Sequence, residues 1–237
     1  MCGRYTVAIQ AQEIAEELRA AIHMPEGAPP RFNVAPTQEV PIAIELASVD
    51  HDHRRLGLAR FGLVPAESEG PKAVGARYVN LRSENVAGQQ AFAESAATRR
   101  CLVAADGFYE WRKDGEGKSA KKQPFYFRPQ GGGLLTFAGI WDLWRGEDGE
   151  KLPSFAILTT KPDEVVGPVH DRMPLIVPRA LRDRWLSTGE HDARALLREL
   201  RDAPRDPLES FPVSTRVGSV ANDDPSLIER VDPGSKE

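Results

Sequence analysis

The stretch RRCLVAADGFYEW, residues 99–111, decides the fold class of this 237-residue chain. Its first half is an apolar run of strand length and predicts a buried strand, and Asp106-Gly107 predicts a turn directly after it. Similar short strands are predicted on both sides of this stretch. They are EVPIAIELA (39–47), RRLGLARFGLV (54–64), PFYFR (124–128), LLTFAGIW (134–141) and SFAILTT (154–160).

Helices are fewer than strands in this pattern. Apolar residues at helical spacing predict a first helix over residues 9–24, ended by Pro25 and Gly27. A second helical region is predicted from Pro178 through ARALLRELR. Many short strands with few helices indicate the α+β class, with one domain, a largely antiparallel, barrel-like β core and peripheral helices. We expect the domain to span 1–222, followed by a partly disordered tail, 223–237.

Composition excludes several classes of protein. The chain is 41% hydrophobic and 28% charged, as in soluble globular proteins, and no window resembles a signal peptide or a membrane span. Two cysteines, Cys2 and Cys101, do not make a disulfide framework and favour a reducing cytoplasm. A net charge of −4 means that any nucleic-acid contact must come from a local cluster of arginines.

Cys2 is placed where removal of Met1 would give it a free α-amine beside its thiol. Such an amine has a pKa of about 7.7–8.0, so a useful fraction is neutral at physiological pH. A nucleophile paired with an N-terminal amine is a known catalytic device, although most lone cysteines are small buried core residues. Cys101 lies inside an apolar strand, which favours the core interpretation for that residue.

Three further polar groups could carry chemistry. Glu110 lies between two aromatics at a predicted strand end, either solvated or in an apolar pocket that raises its pKa. The triplet His170-Asp171-Arg172 abuts an apolar strand and indicates either a cavity at a sheet end or a capped turn. YVNLRSENV (78–86) places Asn80, Arg82 and Glu84 on one strand face, which either faces solvent or lines a groove. His51 and His53, which flank Asp52, are weak evidence for a metal, so we expect neither metal nor cofactor.

These motifs, taken together, resemble one family. MCGRY (1–5), RFNVAP (31–36), FGLVP (61–65), VNLRSE (79–84), DGFYEW (106–111), FAGIWD (137–142) and VHDRMPLIV (169–177) follow the order seen in the SOS-response-associated peptidases. The resemblance runs from residue 2 to about residue 220. It implies a protein that shields abasic sites in single-stranded DNA through a covalent thiazolidine link to the mature Cys2. It also implies lyase-like crosslinking and a peptidase activity that removes Met1.

The resemblance also implies roles for individual residues. Asn80 would orient Cys2 and the sugar, Glu110 would transfer protons, and His170 would protonate the ring oxygen so that the sugar opens. The residues that would hold flanking phosphates are Arg4, Arg82 and Arg172, with Thr159 a weaker candidate. Asn33 would support the Cys2 pocket.

Two departures from the family pattern concern DNA structure rather than chemistry. Phe61-Gly62 stands where many members have Trp-Gly, and the loop PAESEGPKAVGAR (65–77) has no tryptophan. Phe61 is therefore expected to stack on DNA bases more weakly than a tryptophan would. Leu81 also replaces a more usual alanine beside Asn80.

Two other functions fit part of the pattern. Glutamine-dependent amidotransferases also begin Met-Cys-Gly, so an N-terminal-nucleophile amidohydrolase is one alternative, although their glutamine-binding motifs are not found here. A noncatalytic single-strand-binding module is the other. The favoured partner is single-stranded DNA with abasic sites, bound by a monomer in the cytoplasm that associates with the nucleoid on DNA.

Overall fold

The computed structural model describes residues 2–46, 54–115, 121–190 and 192–232. Thirteen strands occur in these ranges: β1 Tyr5–Val7, β2 Ala21–His23, β3 Arg31–Val34, β4 Glu39–Glu45, β5 Arg54–Phe61, β6 Asn80–Arg82, β7 Arg100–Ala105, β8 Gly107–Asp114, β9 Lys121–Pro129, β10 Leu135–Arg145, β11 Lys151–Thr160, β12 Met173–Pro174 and β13 Leu208–Pro212. The same ranges contain five α-helices: α1 Ala11–Leu18, α2 Pro71–Val74, α3 Ala93–Thr98, α4 Arg182–Leu186 and α5 Ala193–Asp202. None of the described helices is long and apolar enough to cross a membrane.

Five strands close into a barrel in the order β11-β10-β7-β4-β5. Neighbouring strands are antiparallel except at the closure, where β5 pairs with β11 in parallel and Phe61 lies opposite Phe155. All six residues of β7 are buried, as its apolar sequence predicts. The predicted class, α+β with a largely antiparallel, barrel-like core and peripheral helices in one domain, is therefore confirmed.

A second sheet, in the order β13-β9-β8-β1-β3, packs against the barrel. Tyr5 of β1 contacts both Phe61 and Phe137 edge-on, at 5.5 and 6.0 Å between ring centroids. The opposite face of this sheet is covered by a smaller cluster that includes Tyr109, Phe211 and Leu227. Because both faces are covered, polar groups on this sheet become buried unless they line a cavity.

The turn expected after β7 is wrong in its extent. Only Asp106 separates β7 from β8, so Glu110 lies within a strand rather than at a strand end. Asp106 makes this abrupt change of sheet possible, since its Oδ2 accepts the Ala8 N–H at 2.9 Å and its Oδ1 accepts the Thr6 hydroxyl. At Gly107 a side chain would collide with the Tyr126 ring.

The first helix is also shorter than its apolar spacing predicts. Residues up to 24 were included in the prediction, but α1 ends at Leu18, and Arg19 takes a left-handed conformation with φ 51°. Ala21–His23 then forms β2, which pairs in parallel with the edge of β5. Ala21 and Ile22 have a spacing that also fits a helix, but pairing with the sheet edge at β5 makes them a strand instead.

The end of the described chain is anchored to β3. The Asp223 carboxylate accepts the backbone N–H groups of Phe32 and Asn33 and pairs with Arg31 at 2.6 Å. Leu227 is fully buried. Residues 223–232 thus pack on the domain, while the domain boundary at 222 stays a prediction. The turn that contains His51, Asp52 and His53 lies outside the described residues.

Candidate active site at the Cys2 terminus

Cys2 lies shortly before β1, separated from it by Gly3 and Arg4, at the junction of the barrel and the second sheet. β1 pairs with β8 so that Tyr5 lies opposite Phe108, and the Tyr109 N–H donates to the Arg4 carbonyl at 3.0 Å. Continuing this antiparallel register places Cys2 and Gly3 beside Glu110 and Trp111. The start of the chain is therefore held against the strand that carries the carboxylate.

The Cys2 thiol is protonated in this environment. The side chain is fully buried, and its Sγ lies 3.9 Å from the Arg4 carbonyl oxygen. Burial raises the pKa of the Cys2 thiol well above its usual range, and the charge of Glu110 raises it further. A reaction that uses this sulfur as a nucleophile must therefore also provide a proton acceptor close by.

Glu110 has the properties of that acceptor. Its side chain is 2% exposed, and burial raises its pKa to about 7, with Asp171 adding a smaller upward effect. A carboxyl group with a pKa near the operating pH can both take up and release a proton. Of the two sequence interpretations for Glu110, solvated or held in an apolar pocket, the structure shows the buried one.

His170 lies next to Glu110, with 3.7 Å between Nε2 and the Glu110 Oε2 atom. The Arg172 N–H donates to Nδ1 at 3.0 Å, and burial lowers the pKa of the ring. In the neutral tautomer that accepts the Arg172 N–H at Nδ1, the ring proton lies on Nε2, towards Glu110. Nδ1 also lies 3.1 Å from the Arg172 carbonyl oxygen and 3.2 Å from an Asp171 carboxylate oxygen, and a protonated ring can donate from both nitrogens. The His170-Asp171-Arg172 turn thus presents a proton donor beside a carboxyl group.

Asn80 begins β6, which pairs with β11. Its Oδ1 atom is buried, and none of the described residues donates a hydrogen bond to it. A buried acceptor without a donor is uncommon in folded proteins. The orienting role predicted for Asn80 remains a prediction, and this vacant acceptor is the feature that supports it.

Arg172 makes contacts that the sequence does not predict. Its two terminal nitrogens form a fork with the Glu84 carboxylate at 2.8 and 2.9 Å, and Nη2 also donates to the Thr159 carbonyl at 2.7 Å. Burial opposes ionisation of Glu84, but the hydrogen bonds and charge of Arg172, a backbone hydrogen bond and the charge of Arg201 together lower the Glu84 pKa. A phosphate would have to compete with Glu84 for Arg172.

The other predicted phosphate contacts differ in exposure. Arg82 is exposed at the end of β6, as a phosphate contact requires. Thr159 is 1% exposed, and its hydroxyl lies between the Leu81 carbonyl and Arg172, which favours positioning of Arg172 over direct binding. Arg4 donates to Asn33 and to the carbonyls of residues 217 and 218, so a phosphate would have to replace these bonds.

Asn33 is fully buried, and its side chain forms hydrogen bonds both with a residue near the start of the domain and with backbone carbonyls near its end. Its amide donates to the carbonyls of residues 217, 219 and 222, while its oxygen accepts from Arg4 at 2.9 Å. The contact with Arg4, two residues from Cys2, supports the predicted role as a pocket residue.

The base-stacking role predicted for Phe61 is wrong. Phe61 is fully buried in the barrel, stacked on Phe155 at 5.4 Å between ring centroids and touched edge-on by Tyr5. Its place at the β5–β11 closure turns the ring inwards, where no base can reach it.

Among the described residues, no group of three or more His, Cys, Asp and Glu side chains could hold a metal ion.

Sequence comparison gives the family. The family model for the SOS response associated peptidase (SRAP) matches residues 1–220. The chain belongs to this family. The abasic site processing protein YoqW of Bacillus subtilis is 33% identical over 230 residues, which is 97% of this chain and 99% of that protein. The abasic site processing protein HMCES of Gallus gallus is 31% identical, over 86% of this chain and 67% of its own.

Solved structures show the same fold. A protein from Bacteroides thetaiotaomicron superposes with a TM-score of 0.82 at 21% identity, covering 97% of this chain and all of that one. A phage-related protein from Bordetella bronchiseptica gives a TM-score of 0.70 at 26% identity, covering 90% of this chain and 94% of that one. The barrel with its second sheet is therefore an architecture that this family shares with solved proteins.

Glu84 and three arginines of α5 (Arg194, Arg198 and Arg201) are residues to which the sequence analysis assigns no role. Glu84 was placed on the same strand face as Asn80 and Arg82 but given no partner. Its partner, Arg172, lies 88 positions away in the chain, so no local pattern could reveal the pair. The α5 arginines recur at helical spacing, a signal that was present in the sequence.

Proposed function

We propose that this protein processes abasic sites in single-stranded DNA by linking its mature N-terminal Cys2 covalently to the opened deoxyribose. The carrying observation is the buried Cys2 beside a carboxyl group with a pKa of about 7 and the Nε2–H of His170. Membership of the family and the names of the abasic site processing relatives support the substrate.

The first step opens the sugar. An abasic deoxyribose is mostly a closed ring, and its aldehyde appears when the ring oxygen gains a proton as the C1 hydroxyl loses one. His170 in its protonated form is suited to supply the first proton through Nε2, which leaves a neutral ring, and Glu110 is suited to take up the second. The aldehyde carbon is then open to attack by an amine.

The second step forms the link. The neutral Cys2 amine adds to the aldehyde carbon, and the adduct loses one water to give an imine. The Cys2 sulfur then adds to the same carbon while its proton passes to the imine nitrogen, which closes a five-membered thiazolidine ring. Two bonds to carbon form, from nitrogen and from sulfur, and one water leaves. Glu110 shuttles the protons, since its pKa of about 7 lets it act in both directions.

The proposal requires removal of Met1, because an amine held in a peptide bond cannot form an imine. The peptidase in the family description supports self-removal as a route to that amine. Asn80 would hold the amine or a sugar hydroxyl through its vacant Oδ1 atom, and Arg82 would hold a neighbouring phosphate. We also propose that the protein acts as a monomer in the cytoplasm, at the nucleoid when bound to DNA.

A denaturing gel tests the proposal. Purified protein is incubated with a single strand that contains one abasic site and, as a control, with the same strand without the lesion. A heat-stable band of lower mobility is expected with the abasic strand alone. No such band, together with ammonia release from glutamine, would instead support the amidohydrolase.

A further inference from the structure

A cavity of about 510 Å³ lies between α5 and the turn that follows β6. Arg194, Arg198 and Arg201 line it from the helix, and Ser83 and Glu84 line it from the turn. The three arginines are spaced by four and three positions, which places them on one face of α5. The basic side of this amphipathic helix therefore lines the cavity, with Arg194 and Arg198 also exposed to solvent.

A second cavity, of about 400 Å³, continues the first. It is lined by Lys161 and Arg205 and shares Glu84 and Arg201 with its neighbour. We refer to the two cavities together as the arginine groove. Five of its lining side chains are cationic (Lys161, Arg194, Arg198, Arg201 and Arg205) and two, Glu84 and Asp202, are acidic. This local excess of positive charge stands out in a chain with a net charge of −4.

Among the described residues, the ion pair of Glu84 is with Arg172 rather than with an arginine of the groove, although the charge of Arg201 helps to lower the Glu84 pKa. Glu84 is engaged by Arg172, and Arg201 donates to the backbone carbonyl of Ser83 at 3.1 Å. Arg194 and Arg198 are exposed, and neither forms an ion pair with a described residue. The groove therefore keeps unused guanidinium donors that suit a multiply oxygenated anion.

Ser83 gives independent evidence for a ligand. Its side chain is 2% exposed, and its hydroxyl has no hydrogen-bond partner among the described residues. Buried hydroxyl groups are normally paired, because an unpaired one keeps its desolvation penalty. An oxyanion in the groove would accept from this hydroxyl as well as from the arginines.

Glu84 links the groove to the candidate active site. Glu84, which lines both cavities, holds Arg172 in the turn that carries His170. Arg82 precedes Glu84 by two residues and is exposed. A strand whose abasic sugar lies at Cys2 and whose next phosphate lies near Arg82 is thereby directed towards α5.

We propose that the arginine groove binds the phosphodiester backbone of the single strand that leaves the abasic site. The inference rests on the proposed function, because it takes the strand at Cys2 as its starting point. The groove would lengthen the DNA footprint by several phosphates. Its contacts go to phosphate alone, so they add affinity without adding sequence preference.

The test combines the exchanges Arg194→Gln and Arg198→Gln, which remove two charges and keep good helix-forming residues. Binding is measured with an unreactive abasic analogue in strands of roughly 5 and roughly 20 nucleotides, over a range of salt concentrations. Each lost phosphate contact should make the negative slope of log affinity against log salt shallower by about 0.7. We expect about tenfold weaker binding of the long strand, unchanged binding of the short strand and an unchanged saturated crosslinking rate.

The matched control combines Arg19→Gln with Arg179→Gln. Both side chains are highly exposed, at 82% and 79%, lie outside the groove and carry the same total charge. Equal effects of the two double variants on the long strand would overturn the inference, as would tighter binding of polyglutamate than of DNA. Failure of the proposed function is distinguishable, since wild-type protein would then form no adduct, whereas the groove is tested with unreactive DNA.

Discussion

Cys2 and Cys101 are both fully buried, and burial raises the pKa of both thiols, yet they lie in different surroundings. Cys101 is in the barrel wall, with its Sγ against Gly139 and its carbonyl accepting the Trp185 indole N–H at 2.8 Å. Cys2 lies beside a titratable carboxyl group that is next to a histidine. Burial therefore does not separate the two thiols, and the feature that distinguishes Cys2 is the titratable carboxyl group beside it.

The largest expected difference in adduct formation is between substitutions at Cys2 and a substitution at Cys101. Cys2→Ala should abolish the heat-stable adduct, and Cys2→Ser should leave only a labile imine. Cys101→Ala should keep the adduct and lower the free energy of unfolding by about 1–2 kcal/mol, through the small cavity it leaves. Denaturing gels and thermal melts measure the two effects. A heat-stable adduct from Cys2→Ala would remove the basis for the contrast.

Glu110→Gln should slow adduct formation at saturating DNA by about 10²–10⁴-fold, because proton transfer is lost. The wild-type rate should show an inflection near pH 7, where Glu110 titrates, and the variant should lack it. Single-turnover rates across pH 5–9 measure both. Glu209→Gln, in the same sheet, is the control and should leave rate and profile unchanged.

Glu110→Gln should raise the stability of the fold above neutral pH, although it slows adduct formation. The pKa of Glu110 is raised from 4.5 to about 7, so the unfolded chain ionises first as pH rises and the native state loses relative stability across that window. Above pH 7 the loss is complete, at about 3 kcal/mol. Glu110→Gln should therefore be more stable than wild type at pH 8 and nearly equal to it at pH 4, by chemical denaturation. Equal stability at pH 8 would contradict the raised pKa of Glu110.

Two arginines extend the contrast between the regions. Arg82→Ala, near the candidate site, should weaken DNA binding a few-fold and make the negative slope of log affinity against log salt shallower by about 0.7. Arg100, beside Cys101, donates to the carbonyls of Trp185, Ala96 and Glu190. Arg100→Gln should leave DNA binding intact but destabilise the fold by about 2–4 kcal/mol, since buried carbonyls lose their donors. Salt-dependent titrations and melts separate the two outcomes.

The smallest effect on DNA binding is expected at Phe61. Phe61→Trp should leave affinity and crosslinking rate unchanged, because the ring packs between Phe155 and Tyr5. The larger side chain should instead overpack the barrel and destabilise it by about 1–3 kcal/mol. Tighter binding of the Trp variant to single-stranded DNA would restore the stacking role that the structure contradicts.

Local patterns in the sequence were sufficient for the class of fold. Short apolar runs separated by turn residues predict a strand-rich α+β domain, and β7 is buried as its composition requires. The parallel closure between β5 and β11 joins residues more than ninety positions apart, and nothing local encodes it. That closure also turned Phe61 inwards, so the stacking prediction failed for a topological reason.

For the candidate site, the sequence predicted which residues are involved but not their pKa shifts or their hydrogen-bond partners. Cys2, Glu110 and His170 were identified from motifs, and the structure brings Glu110 and His170 to 3.7 Å. The raised pKa of Glu110 depends on burial between two sheets. The guanidinium of Arg172 is already paired with the Glu84 carboxylate. Both are tertiary effects, and no spacing along the chain reports them.

Intact-mass analysis of the adduct, combined with thiol alkylation after denaturation, tests the central claim most directly. The account predicts a mass equal to the protein without Met1 plus the abasic strand minus one water. It also predicts a single thiol that can be alkylated, which peptide mapping should place at Cys101, because the Cys2 sulfur and amine are both in the ring. An adduct that retains Met1, or that leaves both thiols open to alkylation, would contradict it.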